Sequence, residues 1–269
     1  MVDTPMLDLA LSRRAYLERL AEQPAWKRDL IDDLGDSRST VDRAIAALTD
    51  VGLVEERDEG FVTTYAGRVL LDTVTEATAI AETAGAAAEL ARNLPADAPR
   101  DHRFFAGGEV VSTDRLPPAV VIDRITESLA AADRVRGGAV AANSEQFIEL
   151  LYRRSAVEED LRVDLLVPAS LVPTLVENYP DRLEGSLRSE WLGLHVVDRL
   201  PYAFYLMTAD GVTTARLLVH GPHRNLLGYV ENDRPDAVEW LEGLFGEFRR
   251  ESRPLAELAA ERPDWPIGG

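Results

Sequence analysis

The sequence predicts a chain of mixed class, α+β in its first part and α/β in its second. Amphipathic helix patterns followed by short strand patterns occupy the first part. An alanine-rich helical run comes next, and short apolar strand patterns then alternate with helices after a Pro-rich polar link at 94–101. We therefore expect three regions, which cover residues 1–66, 67–95 and 96–269.

Composition excludes several classes of protein. With 269 residues and 46% hydrophobic residues, the chain can bury a core without disulfides. The absence of cysteine excludes thiol catalysis and Cys-ligated zinc. No apolar run is long enough for a transmembrane helix, and the first residues do not resemble a signal peptide, so we expect a cytoplasmic protein that makes no membrane contact.

The charge balance is strongly acidic. The net charge is −18, and Lys27 is the single lysine among 29 basic residues. An acidic surface almost without lysine resembles proteins of salt-accumulating halophilic archaea, in which dense carboxylates keep a protein hydrated in molar salt. The alternative is an acidic protein from a high-GC genome, in which arginine replaces lysine for codon reasons.

The first region has the order of elements of a winged helix-turn-helix. Gly35 permits a tight turn between the second and third helices, and Asp36 or Ser37 can cap the third. Asp58-Glu59-Gly60 is a hairpin turn, and Thr64 can cap the following helix. The predicted helices cover residues 7–22, 25–34 and 37–50, and the predicted strands cover 53–57 and 61–63.

One stretch of this region carries a family resemblance. LIDDLGDSRSTVDRAIAALTDVGLVEERDEGFVTTYAG resembles the DNA-binding domain of archaeal winged-helix regulators, related broadly to the ArsR and MarR types. The segments SRSTVDR, LTDVGLV and TTYAG carry the similarity. The resemblance implies binding to double-stranded DNA. Winged-helix folds also serve as protein-interaction modules without operator specificity, which is the alternative function.

The third helix would be the recognition helix. Its N-terminal end offers Arg38, Ser39, Thr40 and Arg43, and such an end enters the major groove in this fold. Arginine reads guanine in bidentate fashion, and Ser or Thr contact bases or phosphate. The alternative is a solvated helix face, in which the arginines pair with nearby carboxylates at Asp32, Asp36 and Asp42.

Basic residues outside the recognition helix are few. Lys27 and Arg28 begin the second helix and are candidates for a phosphate contact. In the wing, Arg57 stands among acidic residues at 55, 56, 58 and 59. Either Arg57 alone contacts the backbone or minor groove, or the wing contributes little.

The alanine-rich region predicts one helix from Thr64 to about Asn93, and Pro95 follows it. One face of this helix carries apolar residues at heptad spacing, and we call this face the seam. A seam of this kind favours a close-packed helix pair between two chains, and a winged-helix regulator needs two half-sites. The alternative is a helix packed on its own C-terminal domain. The seam consists of residues spaced by alternating gaps of 4 and 3, namely Leu70, Val74, Ala77, Ala81, Ala84, Ala88 and Ala91.

The third region predicts a mixed sheet with helices, in which Asp210-Gly211 forms a hairpin turn. Residues 191–254, which include VENDRPDAVEWLEGLFGEFRRESRP, resemble the C-terminal effector domain of archaeal regulators of the methanogenesis-regulatory-protein type. The predicted strands are 109–113, 136–142, 161–167, 191–197, 203–208, 213–219 and 226–230. The predicted helices are 118–132, 144–156, 169–178, 234–251 and about 255–261.

No active site emerges from the motifs, so we expect neither an enzyme nor a cofactor. His220 and His223 have metal-like spacing, but a turn around the intervening proline explains them better. The C-terminal domains of such regulators can resemble phospholipase D domains, whose catalysis needs a His-x-Lys motif. The single lysine lies in the first region, so we expect no such activity.

A small-molecule effector is a further expectation for the α/β region. Ligands prefer the carboxyl ends of strands, where Asn143, Ser144 and Ser170 stand, and Tyr202 and Tyr205 lie in the following hairpin. The polar residues serve equally well as helix caps, and the tyrosines equally well as core aromatics. Together these expectations describe a homodimeric, signal-responsive, sequence-specific transcription regulator.

Overall fold

The computed structural model describes residues 5–142 and 144–261. The chain divides into two compact units, Met1–Ala79 and Ile80–Gly269. The predicted mixed α and β fold class is confirmed, and each unit is described by itself below.

The first unit contains the predicted helices and hairpin in the predicted order. The single helix predicted over 7–22 is wrong, because the helix is interrupted at Arg13, whose φ of −118° and ψ of 22° are not helical. Ser12 Oγ donates to the Leu9 carbonyl at 3.1 Å, which offers the backbone a local alternative to the helix. The elements are α1 (Pro5–Ser12), α2 (Arg14–Glu22), α3 (Lys27–Leu34), α4 (Arg38–Asp50), β1 (Val54–Arg57) and β2 (Gly60–Thr63).

The core of this unit lies beneath α4. Val41, Ile45 and Leu48 are buried at the predicted spacing and belong to one cluster with Leu30 of α3. Ala25 pairs with Phe61, with backbone N···O distances of 3.1 and 2.9 Å, which ties the chain before α3 to the hairpin. The hairpin is therefore held firmly beside α3.

The alanine-rich region is helical but interrupted. Thr64 caps it as predicted, since its Oγ1 accepts from the Gly67 N–H at 3.1 Å. The helix predicted to reach Asn93 is α5 (Tyr65–Ala86), and after a turn residue at Ala87 it is followed by the short α6 (Ala88–Ala91). The boundary between the two units falls within α5.

The second unit is built on one eight-stranded sheet in the order β10-β6-β5-β4-β7-β8-β9-β3. β4, β5 and β6 are parallel, and the remaining pairs are antiparallel. Asp210 and Gly211, both at positive φ, form the predicted turn between β7 and β8. The strands are β3 (Glu109–Ser112), β4 (Arg134–Gly138), β5 (Arg162–Pro168), β6 (Leu192–Val197), β7 (Ala203–Ala209), β8 (Val212–His220), β9 (Leu226–Asn232) and β10 (Arg253–Pro254).

Helices cover both faces of this sheet, and two of them, α7 and α11, were not predicted from the sequence. A π-helical turn (Arg153–Val157) extends α9, and a 3₁₀ turn (Ala169–Leu171) precedes α10. The helices are α7 (His102–Phe105), α8 (Pro118–Ala131), α9 (Glu145–Tyr152), α10 (Val172–Asn178), α11 (Pro180–Arg188), α12 (Pro235–Glu251) and α13 (Leu255–Glu261).

The side chains of β7 alternate between two separate core clusters, one on each face of the sheet. Phe204 and Leu206 join the cluster that includes Leu241 of α12, whereas Ala203 and Tyr205 join the cluster that includes Ile125 of α8. Successive strand residues point to opposite faces, so the sheet carries a separate apolar layer on each side. The strand predicted over 136–142 ends at Gly138, and the chain that follows passes along the α8 side.

Candidate nucleic-acid interface

The turn between α3 and α4 is held by a buried tyrosine. Gly35 adopts φ +69° and closes α3, with its N–H donating to the Ile31 carbonyl at 3.0 Å. The Tyr16 hydroxyl donates to the Asp36 carboxylate. Burial and this carboxylate together raise the pKa of Tyr16 to about 12. Asp36 is therefore engaged within the turn.

The N-terminal end of α4 presents polar groups to solvent. Ser37 is the cap, and its Oγ accepts from the Thr40 N–H at 3.3 Å. The Ser37 hydroxyl also lies 3.1 Å from Ser39 Oγ and 2.9 Å from Thr40 Oγ1. Arg43 Nε donates to the Ser39 carbonyl at 3.1 Å, and the Arg38 side chain is 89% exposed. Two arginines and three hydroxyl side chains thus lie at one end of the helix.

Asp42 partly neutralises this end. Lys27 Nζ lies 2.9 Å from Asp42 Oδ1, and Arg38 Nε lies 4.0 Å from Asp42 Oδ2. The hydrogen bond from Lys27 lowers the pKa of Asp42, and Arg38 lowers it further. Lys27 is therefore paired before any partner arrives, whereas Arg38 is held only loosely.

An open groove runs beside the start of α3. It is lined by Trp26, Lys27 and Arg28 on one side and by Glu56 and Phe61 of the hairpin on the other. Lys27 Nζ lies 5.8 Å from the Phe61 ring centroid, and the Arg28 side chain is 83% exposed. Trp26 is 39% exposed and was not among the predicted residues. The signal that could have identified it is its place in the sequence, directly before two basic residues.

The hairpin tip offers little free positive charge. Arg57 Nε donates to Glu55 Oε1 at 2.9 Å, and its Nη2 contacts the same oxygen. Glu56, Asp58 and Glu59 are exposed around it. This pairing favours the interpretation in which the wing contributes little.

The residues predicted to bind an effector do not form one site. Tyr205 and Ser144 line the same cavity of the second unit, and Ser144 also caps α9 by accepting from the Phe147 N–H at 3.3 Å. Tyr202 is a core residue whose hydroxyl donates to the Pro99 carbonyl at 2.6 Å. Ser170 lies exposed in the 3₁₀ turn and caps no helix, because α10 begins after it. Asn143 lies outside the described residues.

The described residues contain no group of three or more acidic or histidine side chains that could hold a metal ion. His220 is the last residue of β8, and burial lowers its pKa to about 4. Within the same part of the chain, no helix is both long enough and apolar enough to cross a membrane.

Two family models match the chain. Residues 3–86 match the HVO_A0261 N-terminal domain. Residues 118–251 match the middle domain of the methanogenesis regulatory protein FilR1. Part of the chain is therefore similar to a regulatory protein. The FilR1 match covers residues 191–251 of the stretch whose sequence resembles this type of regulator, and it extends that similarity toward the N-terminus to α8.

Solved structures resemble the chain only distantly. TrmBL2, described as an archaeal chromatin protein, is 13% identical with a TM-score of 0.40, over 93% of this chain and 95% of its own. NucT from Helicobacter pylori is 8% identical with a TM-score of 0.40, over 55% of this chain and 98% of its own. The phospholipase D family member Nuc from Salmonella typhimurium is 11% identical with a TM-score of 0.34, over 49% and 89%. Structural similarities this weak carry no argument about function. The comparison with curated proteins found no match to the chain.

Proposed function

We propose that this protein is a sequence-specific, DNA-binding transcription regulator, in which α4 enters the major groove. The observation that carries the proposal is the N-terminal end of α4, where Arg38, Ser39 and Arg43 are exposed together above a buried apolar face. Base edges in the major groove are read by side chains of these types. The match to a regulatory protein supports the same function.

The acidic net charge is compatible with DNA binding in concentrated salt. The Debye length is about 3 Å at 1 M salt, so carboxylates beyond direct contact have little effect on phosphate. Only groups that touch the duplex then matter, and those at the end of α4 are mostly basic or hydroxylic. Because the chain is strongly acidic and has a single lysine, we propose that the protein comes from a halophilic archaeon.

The remaining parts of the proposal concern assembly and control. We propose a homodimer that responds to a small molecule or another cellular signal, and a second unit without catalytic activity. The single lysine, Lys27, lies in the first unit, so the second has no His-x-Lys motif for phosphodiester hydrolysis. The acidic hairpin favours a second candidate, a protein-interaction module without operator specificity.

Chromatin immunoprecipitation with sequencing in the native host tests this function. A sequence-specific regulator should give discrete peaks that share a pseudo-palindromic motif. An interaction module should give either no enrichment or enrichment without a shared motif. That second outcome, together with unchanged recovery after Arg38→Ala, would overturn the proposal.

Arg38→Ala and Arg43→Ala should each weaken binding to the recovered site by about 1–3 kcal/mol, because each removes a guanidinium able to read guanine. Fluorescence anisotropy in concentrated KCl measures the loss. Arg92→Ala is the matched control, since Arg92 is 75% exposed and lies in the second unit. Wild-type affinity in both α4 variants would show that α4 is not the reading helix.

Asp42→Asn should tighten DNA binding and steepen its salt dependence. The substitution releases Lys27 from its 2.9 Å ion pair and removes the nearest carboxylate to Arg38. For each additional phosphate that the variant neutralises, the slope of log K against log salt should change by about −0.9. Asp50→Asn, which removes one charge from the other end of α4, should leave the slope unchanged. Equal effects from both variants would indicate that net charge alone is responsible.

A further inference from the structure

The second unit contains a cavity with two neighbouring lobes on the α8 side of the sheet. The outer lobe, of about 370 Å³, lies among α8, α9 and strands β7 to β9. The inner lobe, of about 110 Å³, lies between α9 to α11 and strands β5 and β6. Both lobes are lined by Ala141, Ala142, Phe147, Ile148 and Tyr205. The outer lobe falls within the range of about 300–1,000 Å³ usual for small-molecule sites.

The walls of this cavity are apolar and carry no available charge. Among the described residues, the outer lobe has no ionisable lining side chain apart from Tyr205 and His220. In the inner lobe Arg182 is already paired with Glu149 at 2.7 Å and stacks over the Tyr179 ring at 5.4 Å. A charged ligand would have to be desolvated among these walls, which costs far more than burial of a neutral one. Arg224, whose charge reaches His220, is not a lining residue of either lobe.

The outer lobe nevertheless offers hydrogen-bonding groups. His220 lines it, and its Nδ1 is buried without a hydrogen-bond partner among the described residues. Burial lowers the pKa of His220 to about 4, and the charge of Arg224 lowers it further, so the imidazole is neutral at pH 7. A neutral imidazole can share a hydrogen bond with a hydroxyl or amide group.

We propose that this cavity binds an uncharged, mainly apolar small molecule that carries a polar group directed at His220. This inference rests on the proposed function, for which it names the place and chemical class of the signal. The occupant fits the apolar walls, the neutralised Arg182 and the unpartnered Nδ1 of His220. The site excludes Ser170 and Tyr202, which lie elsewhere, and uses Ser144 and Tyr205.

A pair of related dyes tests the chemical class without any DNA. N-phenyl-1-naphthylamine is neutral, has one N–H group and becomes fluorescent in apolar surroundings, whereas 8-anilinonaphthalene-1-sulfonate adds a negative charge to the same ring system. Titrated into the full chain in concentrated KCl, the neutral dye should bind saturably at one site per chain. The sulfonate should bind at least about tenfold more weakly, because its charge must be desolvated. Equal affinities, or no saturable binding of the neutral dye, would overturn the proposal.

Substitutions test the location. Ala141→Leu should weaken the neutral dye by about tenfold or more, because it fills space shared by both lobes, and Ala131→Leu is the control on the exposed end of α8. If circular dichroism shows that Ala141→Leu is unfolded, Ile148→Phe takes its place. His220→Phe should weaken binding by about two- to tenfold.

Folded cavity variants that bind like wild type would place the dye elsewhere. A wild-type chain that binds its operator but not the neutral dye would reject this site alone, and one that binds the dye but no operator would reject only the proposed function.

Discussion

Dialysis from molar KCl into dilute buffer should unfold this protein. The chain carries a net charge of −18 over 269 residues. At 0.01 M salt the Debye length reaches about 30 Å, so carboxylates repel one another across much of a domain, whereas at 1 M the range falls to about 3 Å. Circular dichroism followed during dialysis should show loss of helix, and the melting temperature should fall steadily with the KCl concentration.

A non-ionic osmolyte separates screening from general salt effects. Sucrose at the same osmolality favours compact states but does not screen charge. The protein should therefore unfold in sucrose without salt if repulsion among carboxylates is the cause. A protein that keeps its helical content and melting temperature in dilute buffer would contradict the halophilic interpretation and favour an origin of the arginine bias in codon usage.

The elements that were predicted correctly have strong local signals. Val41, Ile45 and Leu48 follow helical spacing and are buried, and Gly35 occupies the left-handed region that its position requires. The missed elements are short or polar. α7 has four residues and depends on Asp101, whose carboxylate accepts from the Arg103 N–H at 2.9 Å. β10 has two residues and exists only because β6 lies beside it.

The candidate DNA-contact residues could be named from the sequence, and Asp42 was among the possible partners of Arg38, but the ion pair of Lys27 could not be predicted. Lys27 and Asp42 are fifteen positions apart, and only the packing of α3 against α4 brings them within 2.9 Å. The cavity was harder still to predict, because most of its walls are ordinary apolar residues from separate helices and strands. Ser170 and Tyr202 stand near strand ends, as the sequence argument required, but one is exposed and the other belongs to the opposite core layer.

The proposed dimer seam is altered by the packing of each unit. Val74 is buried in the first unit's own core, so it is not available to a partner chain. The next seam residues, Ala77, Ala81 and Ala84 of α5, are exposed, as is Ala88 after the turn at Ala87. Small side chains at such spacing let two helix backbones approach closely. The seam that remains for a second chain is therefore the alanine part alone.

Ala81→Glu should convert a dimer into a monomer, because it places an unpaired carboxylate at the centre of that seam, opposite its own copy. Light scattering at micromolar concentration measures the change. Ala86→Glu is the matched control, since Ala86 is also exposed but lies on the other side of the helix at 3.6 residues per turn.

A dimer should bind two half-sites about 34–36 Å apart, or a multiple of this distance, so its operator should be pseudo-palindromic. A wild type that stays monomeric would end the dimer proposal. A dimer unaffected by Ala81→Glu would move the interface away from α5 and leave the palindrome prediction in place.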